Sequence, residues 1–263
     1  MIKILFSLSC IQFIMTASLF ATPEIVAHRG SSQQAPENTL AAFELAWKQG
    51  ADIIEIDVRL TKDSHVICIH DANTKRTGRS KLDVAKSTLS ELQKLDVGSF
   101  KSKDYAGTHI PTLKEVLASV PKGKKVFIEI KSGAETIDPI LKLIAQSSLE
   151  NEQVAIISFK EKILLECKKR APHIYTSWLC NIKKQKNGQL KPSFESVLNT
   201  LKSHRINGLS SSHHQINAEK VQTLKQQGFD CHVWTINDTK IAQKMTSLGV
   251  DSITTDVPHK FTK

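Results

Sequence analysis

The chain has 263 residues, 40% of them hydrophobic and 24% charged, with no low-complexity tract. That composition is of an ordinary globular protein, and single α/β barrels reach this length without a second domain. The formal charge of +10 attracts anions of many kinds. Lysine and arginine are nevertheless scattered, and no basic stretch is interleaved with aromatics, which argues against a nucleic-acid partner.

The N-terminus differs from everything after it. Met1-Ile2-Lys3 carries one positive charge, Ile4 to Phe20 carries none, and Ala21 leads into Thr22-Pro23. A charged start, an apolar run and a small residue make a secretory signal peptide over residues 1–21, with residues 22–263 as the working domain. Leu19 at the minus-three position leaves the cleavage site open. An uncleaved anchor is the other reading, but the run is slightly short for a span of about 20 apolar residues. Losing residues 1–21 removes only Lys3, so the charge falls from +10 to +9. Export implies a periplasmic or secreted protein, without separating the two.

From residue 24 onward, β-branched runs alternate with amphipathic stretches. Strands are expected at 24–28, 52–58, 65–70, 125–131, 153–158, 173–179, 206–210, 230–236 and 250–255. Helices are expected at 39–49, 112–119, 135–148, 160–169, 193–203, 217–227 and 238–248. Thr88 with Glu91 and Thr112 with Glu115 have the spacing of capping boxes. This alternation predicts a mainly parallel sheet under helical cover. No Gly-x-Gly-x-x-Gly opens the first helix, so a barrel is favoured over a dinucleotide fold. Nine strands compete for eight places. The connection from Arg59 to Ser64 is too short for a crossover helix, and the polar stretch 71–111 reads as an insertion over the mouth. The run Lys183-Lys184-Gln185-Lys186 reads as a solvated loop. Cys68, Cys167, Cys180 and Cys231 form no CxxC pair, and Cys68 and Cys231 sit in apolar strands as buried thiols.

Side-chain alternation along strands sorts the polar residues. Glu55 and Asp57 share one parity, opposite Ile54, Ile56 and Val58. Glu129 and Lys131 share one parity, opposite Val126, Ile128 and Ile130. His28, followed by Arg29, and His70 end two further apolar runs. In a barrel the charged parity points inward near the strands' C-terminal ends, where such folds keep their chemistry. Three buried carboxylates cost several kcal/mol each, roughly, unless a cation neutralises them. Oxygen donors select Ca²⁺ or Mg²⁺. Taken singly, each feature is commoner as a wet strand face or a surface pair; their coincidence at four strand ends fits phosphate ester cleavage.

Those residues resemble the glycerophosphodiester phosphodiesterase family. The stations are Ala27-His28-Arg29-Gly30, Ala35-Pro36-Glu37-Asn38-Thr39, Gly50 to Val58, Thr61-Lys62-Asp63, Ile69-His70-Asp71, Ile110 to Leu117, Glu129-Ile130-Lys131, Val233 to Asn237, and Ile253 to Asp256. They span about residues 25–258. The resemblance implies a (β/α)₈ TIM barrel with an inserted segment after the third strand. It implies Glu55, Asp57 and Glu129 as ligands of a divalent cation, Ca²⁺ or Mg²⁺, and His28 and His70 as the acid–base pair. His28 is taken as base and His70 as acid, an order the sequence does not fix. Arg29 and Lys131 would contact phosphate, Trp234 would line the glycerol side, Glu37 and Asn38 would brace the mouth, and Asp63 would be a turn residue. The pattern departs at Ser64, where a glycine commonly stands, and modestly over 71–77. The implied reaction releases glycerol 3-phosphate and an alcohol from a small glycerophosphodiester. Competing readings are a lysophospholipase D-like or phospholipase C-like enzyme acting on membrane-proximal lipid, and a non-catalytic phosphodiester binder. The alcohol and the oligomeric state stay open.

Overall fold

The computed structural model describes residues 21–262, so the inferred leader lies outside the described residues except for Ala21. Eleven strands and nine helices follow in chain order among the described residues: β1 (Glu24–His28), α1 (Leu40–Lys48), β2 (Ile53–Leu60), β3 (Val66–Cys68), α2 (Lys75–Gly78), α3 (Leu89–Leu92), α4 (Leu113–Ser119), β4 (Lys125–Ile130), α5 (Ile137–Gln146), β5 (Val154–Ser158), α6 (Glu161–Arg170), β6 (Tyr175–Cys180), β7 (Lys183–Lys184), β8 (Leu190–Lys191), α7 (Phe194–His204), β9 (Gly208–Ser212), α8 (Ala218–Gln226), β10 (Asp230–Trp234), α9 (Thr239–Leu248) and β11 (Ser252–Thr255). Among the described residues, no helix is long and apolar enough to cross a membrane.

Eight strands, β1, β2, β4, β5, β6, β9, β10 and β11, run parallel, and β1 pairs with both β2 and β11 to close a (β/α)₈ barrel. The outward parity is mainly apolar. Ile54, Ile56, Val126, Ile128 and Ile130 pack with Phe43, Leu113, Val116, Ile137 and Ile140 of the helices. Burying each such side chain contributes about 1.5–3 kcal/mol. The inward parity holds a smaller apolar plug of Val26, Ile53, Phe127, Ala155, Ile157 and Leu179. Above and below that plug, the inward positions turn polar.

β3 is the strand without a place in the barrel. It lies antiparallel on the end of β2, with Val58 opposite Cys68 and Leu60 opposite Val66. The short Arg59–Ser64 connection is therefore a hairpin turn. Ser64 sits there at φ 63°, the left-handed region that explains why glycine commonly occupies this position. Asp63 accepts hydrogen bonds from Thr61 Oγ1 (2.7 Å) and from the backbone N–H of Leu89 (3.0 Å), as suits a turn residue.

After β3 the chain crosses the mouth through α2 and α3. This segment has its own core of Ile67, Ile69, Val84, Leu92, Val97 and Ile110, which seats it on the barrel. Both capping boxes form, at Thr88 with Glu91 and at Thr112 with Glu115. The lysine run belongs to a small exposed hairpin of β7 and β8 rather than to a plain loop. All four described cysteines are free and buried.

Gly30 fixes the first turn above β1. Its φ is +81°, and a Cβ there would lie 2.6 Å from the backbone carbon of Ala42 in α1. Neither the backbone angle nor the contact tolerates a side chain. Gly30→Ala is expected to destabilise the fold by about 2–4 kcal/mol, read from denaturant unfolding. A loss under about 0.5 kcal/mol would show that α1 can yield.

Candidate active site

The upper end of the barrel gathers the residues singled out by strand parity. β2 presents Glu55 and Asp57 inward, β4 presents Glu129, and the main-chain register places Asp57 beside Glu129. One oxygen from each of the three carboxylates lies within 4.8 Å of the others, and all three residues are buried. Glu55 Oε1 and Asp57 Oδ1 are buried without a hydrogen-bond partner. Buried carboxylate oxygens left unsatisfied are costly, and such orphans within a tight cluster of three carboxylates fit a hard divalent cation with oxygen ligands. The donor set and the spacing both accept such an ion.

Protein cations partly compensate this charge. Lys131 Nζ lies 2.7 Å from Glu129 Oε1 and 3.4 Å from Asp57 Oδ1, the latter too poorly aligned for a hydrogen bond. Arg29 Nε lies 3.1 Å from Asp57 Oδ2, also without hydrogen-bond alignment. Asp57 is further braced by Asn38, whose amide donates to Oδ2 at 2.8 Å and accepts from the Asp57 N–H at 3.0 Å. Burial pushes the Asp57 pKa up, but Arg29 and Lys131 outweigh it and hold the carboxyl below its usual range. Burial and the charge of Asp57 raise Glu55 to about 8 and Glu129 to about 7.

Two histidines face the cluster, each held by a carboxylate. His28 ends β1 and its Nδ1–H donates to Asp256 Oδ1 at 2.7 Å. Asp256 is itself fixed by Ser32 Oγ at 3.1 Å and Asn237 Nδ2 at 2.7 Å. His70 Nδ1 makes the same contact with Asp71 Oδ1 at 2.7 Å. In each case Nε2 remains free to exchange a proton with a ligand. Burial lowers the His28 pKa, yet Asp256 and Glu55 together raise it above normal. At His70 burial prevails over Asp57 and Asp71, and the pKa is lowered. The two shifts run in opposite directions, as suits a pair in which one group gives a proton and the other takes one.

A pocket of about 220 Å³ joins these groups. His28, Arg29, Glu55, His70, Glu129 and Lys131 line one side, while Phe127, Ile157, Phe159, Leu179 and Trp234 line the other. Phe159 and Trp234 meet edge-to-face with ring centres 5.7 Å apart. A larger cavity, about 500 Å³, opens at the opposite end of the barrel beside Glu24, Lys125, Tyr175, Asp230 and His232. Most of its charged groups are already engaged, as in Lys125–Glu24 at 2.6 Å, Lys225–Asp251 at 3.1 Å and the Tyr175 hydroxyl on Asp230 at 2.6 Å. The convergent acid–base groups and orphaned oxygens belong to the smaller pocket.

The eight residues named from the sequence as ligands, acid–base groups or substrate contacts gather at one site: seven line the pocket, and Asp57 is buried in the carboxylate cluster beside Glu129. The route of one differs. His70 lies two residues beyond the returning antiparallel β3, just after the Ile69 N–H bonds to the Asp57 carbonyl at 2.9 Å, and not on a barrel strand. Sequence reasoning missed Asp256 and Asp71 as histidine partners, and Phe159 as part of the apolar wall. Asp256 follows β11 at the inward parity of Ser252 and Thr254, a signal that could have found it.

The sequence profile of the Glycerophosphoryl diester phosphodiesterase family matches residues 28–260. The chain belongs to this family. It is 37% identical over 240 residues to the glycerophosphodiester phosphodiesterase of Caldanaerobacter subterraneus, covering 89% of this chain and 94% of that protein. A Bacillus subtilis glycerophosphodiester phosphodiesterase is 32% identical over 256 residues, at 90% and 85% coverage. The fold superposes on an Oleispira antarctica phosphodiesterase solved with sn-glycerol-3-phosphate, with a TM-score of 0.82, 30% identity, and coverage of 91% and 95%. A Thermotoga maritima glycerophosphodiester phosphodiesterase gives a TM-score of 0.75 at 28% identity, with coverage of 92% and 97%. As a member of the glycerophosphodiester phosphodiesterase family, the protein is a phosphoric diester hydrolase.

Proposed function

We propose that the enzyme cleaves small glycerophosphodiesters to glycerol 3-phosphate and an alcohol, using a divalent cation, Ca²⁺ or Mg²⁺, held by Glu55, Asp57 and Glu129. The observation that carries this reading is the meeting, at one pocket, of two carboxylate-held histidines with a cluster of three buried carboxylates, two of which have an orphaned oxygen. When bound, the cation supplies positive charge to a phosphate oxygen and so favours the transition state. Arg29 and Lys131 reinforce that charge from the protein side. Trp234 and the apolar wall receive the glycerol carbons.

One histidine takes the proton of the glycerol hydroxyl next to the ester, and that oxygen attacks phosphorus. The other protonates the departing alcohol oxygen, leaving a cyclic phosphate. Water then opens the ring with the pair used in the reverse sense. Each histidine therefore serves once as acceptor and once as donor, so the order of first use is not needed to identify the groups.

Phe159, 46% exposed, is the one large hydrophobic side chain left exposed among the described residues, and it stands at the mouth. That position favours a second reading, a lysophospholipid whose chain lies along the rim. We also propose export through residues 1–21, which mass determination of the mature N-terminus would check. The deciding assay is glycerol 3-phosphate release from glycerophosphocholine by purified protein, with EDTA and with each cation restored. Release that EDTA abolishes and one cation recovers is expected. Release only from lysophosphatidylcholine would select the second reading, and none from either would remove both.

A further inference from the structure

Arg76 lies on α2, the first helix of the segment that crosses the mouth, and takes no part in the reaction proposed above. Its Nε donates to Asp71 Oδ2 at 2.8 Å. Its Nη1 and Nη2 donate to Glu37 Oε2 and Oε1 at 2.6 and 2.9 Å, a two-pronged contact. Each carboxylate has a second engagement. Asp71 Oδ1 holds His70, and Glu37 Oε1 accepts from Arg29 Nη1 at 3.0 Å. Five charged or ionisable groups thus form one chain from Arg29 through Glu37, Arg76 and Asp71 to His70.

Folding alone accounts poorly for this arrangement. Arg76 is 45% exposed, and ion pairs of such groups are each worth about 0–1 kcal/mol. Helix α2 has four residues and is held from outside itself. Thr74 Oγ1 donates to the Ser80 carbonyl at 2.5 Å and accepts from the Leu82 N–H at 3.0 Å, while the apolar core of the segment lies beneath. A planar guanidinium on such a support fixes direction more than energy. Without it the Asp71 carboxylate can turn from His70, and Glu37 loses the partner that balances its pull on Arg29.

We propose that Arg76 is a positioning residue of the active site, aiming His70 through Asp71 and Arg29 through Glu37 at the same time. The inserted segment is then part of the catalytic apparatus rather than a cover over it. This inference rests on the roles given above to His70 and Arg29.

The test compares Arg76→Gln, Asp71→Asn, the double variant and His70→Ala with the parent enzyme, on glycerophosphocholine with the activating cation. Arg76→Gln is expected to lower kcat about 10- to 100-fold, the range for residues that orient an active-site group, with Tm within about 2 °C of the parent. Asp71→Asn should fall in the same range, and the double variant no further than the worse single one, because both act on His70 through one contact. Arg76→Lys keeps the charge and the helix but cannot span both carboxylates. It should lose less than glutamine and still fall several-fold, which preserves the reading if glutamine disturbs the segment. A kcat within twofold of the parent in Arg76→Gln, or losses that multiply in the double variant, would overturn the inference while His70→Ala remains inactive. A His70→Ala enzyme of normal turnover would sink the acid–base reading itself, and this inference with it.

Discussion

His28→Ala is expected to lower kcat/KM for glycerophosphocholine about 10³-fold, within the 10²–10⁴ typical of a lost acid–base group. Asp256→Asn should cost about 10², because the Nδ1 contact that fixes the imidazole tautomer is replaced by an amide able to donate as well as accept. His28 and Asp256 act as one unit across their 2.7 Å contact. The double variant should therefore be no slower than His28→Ala alone. Both residues are part-exposed at the mouth, with side-chain exposures of 23% and 31%, so folding should survive and circular dichroism should match the parent. Steady-state rates on folded protein give the comparison. His28→Ala turnover within threefold of the parent would remove the histidine from the reaction, and multiplicative losses would separate Asp256 from it.

How far this site could be read from the chain depends on the range of the contacts that build it. Glu55, Asp57, Glu129 and Lys131 were visible because alternation along a single strand is a local property, and their apolar neighbours mark the opposite face. The helices were visible for the same reason, with the 112–119 reading close to the observed Leu113–Ser119. The Asp256 contact joins residues 228 positions apart, and no local pattern reports such a pairing. Arg76 sits in a polar segment whose course is set by its seat on the barrel and not by its own periodicity. His70 ends an apolar run, as the sequence shows, but that run is an antiparallel return strand, and the chain just beyond it brings His70 beside Asp57 rather than a barrel strand doing so. Inward polar parity is not confined to the upper end of the barrel. Glu24, Lys125, Asp230 and His232 occupy the same inward parity at the lower end, and they make the larger cavity there.

The metal-free protein should become less stable as pH rises from about 4.5 to about 8. Burial, followed by the neighbouring Asp57 charge, raises Glu55 from 4.5 to about 8 and Glu129 from 4.5 to about 7. Below pH 4.5 these glutamates are protonated whether the chain is folded or not. Above it the unfolded chain gives up protons that the folded one retains, so unfolding gains free energy until the folded groups also ionise. The loss for Glu55 alone is of the order of a few kcal/mol at pH 8, taking about 1.4 kcal/mol per pH unit. A divalent cation reverses this, because it requires the carboxylates ionised and then compensates them. Adding Mg²⁺ or Ca²⁺ at pH 7 should release about one proton per site, read as a binding enthalpy that changes with the buffer's ionisation enthalpy. Glu55→Gln replaces the repelled group by a neutral one of the same shape. It should raise the metal-free Tm at pH 8, abolish most proton release, and cut turnover by about 10³ or more, a gain in stability bought with function. A metal-free Tm flat between pH 5 and 8, together with cation binding that releases no proton, would mean that the three carboxylates are not the site of the ion.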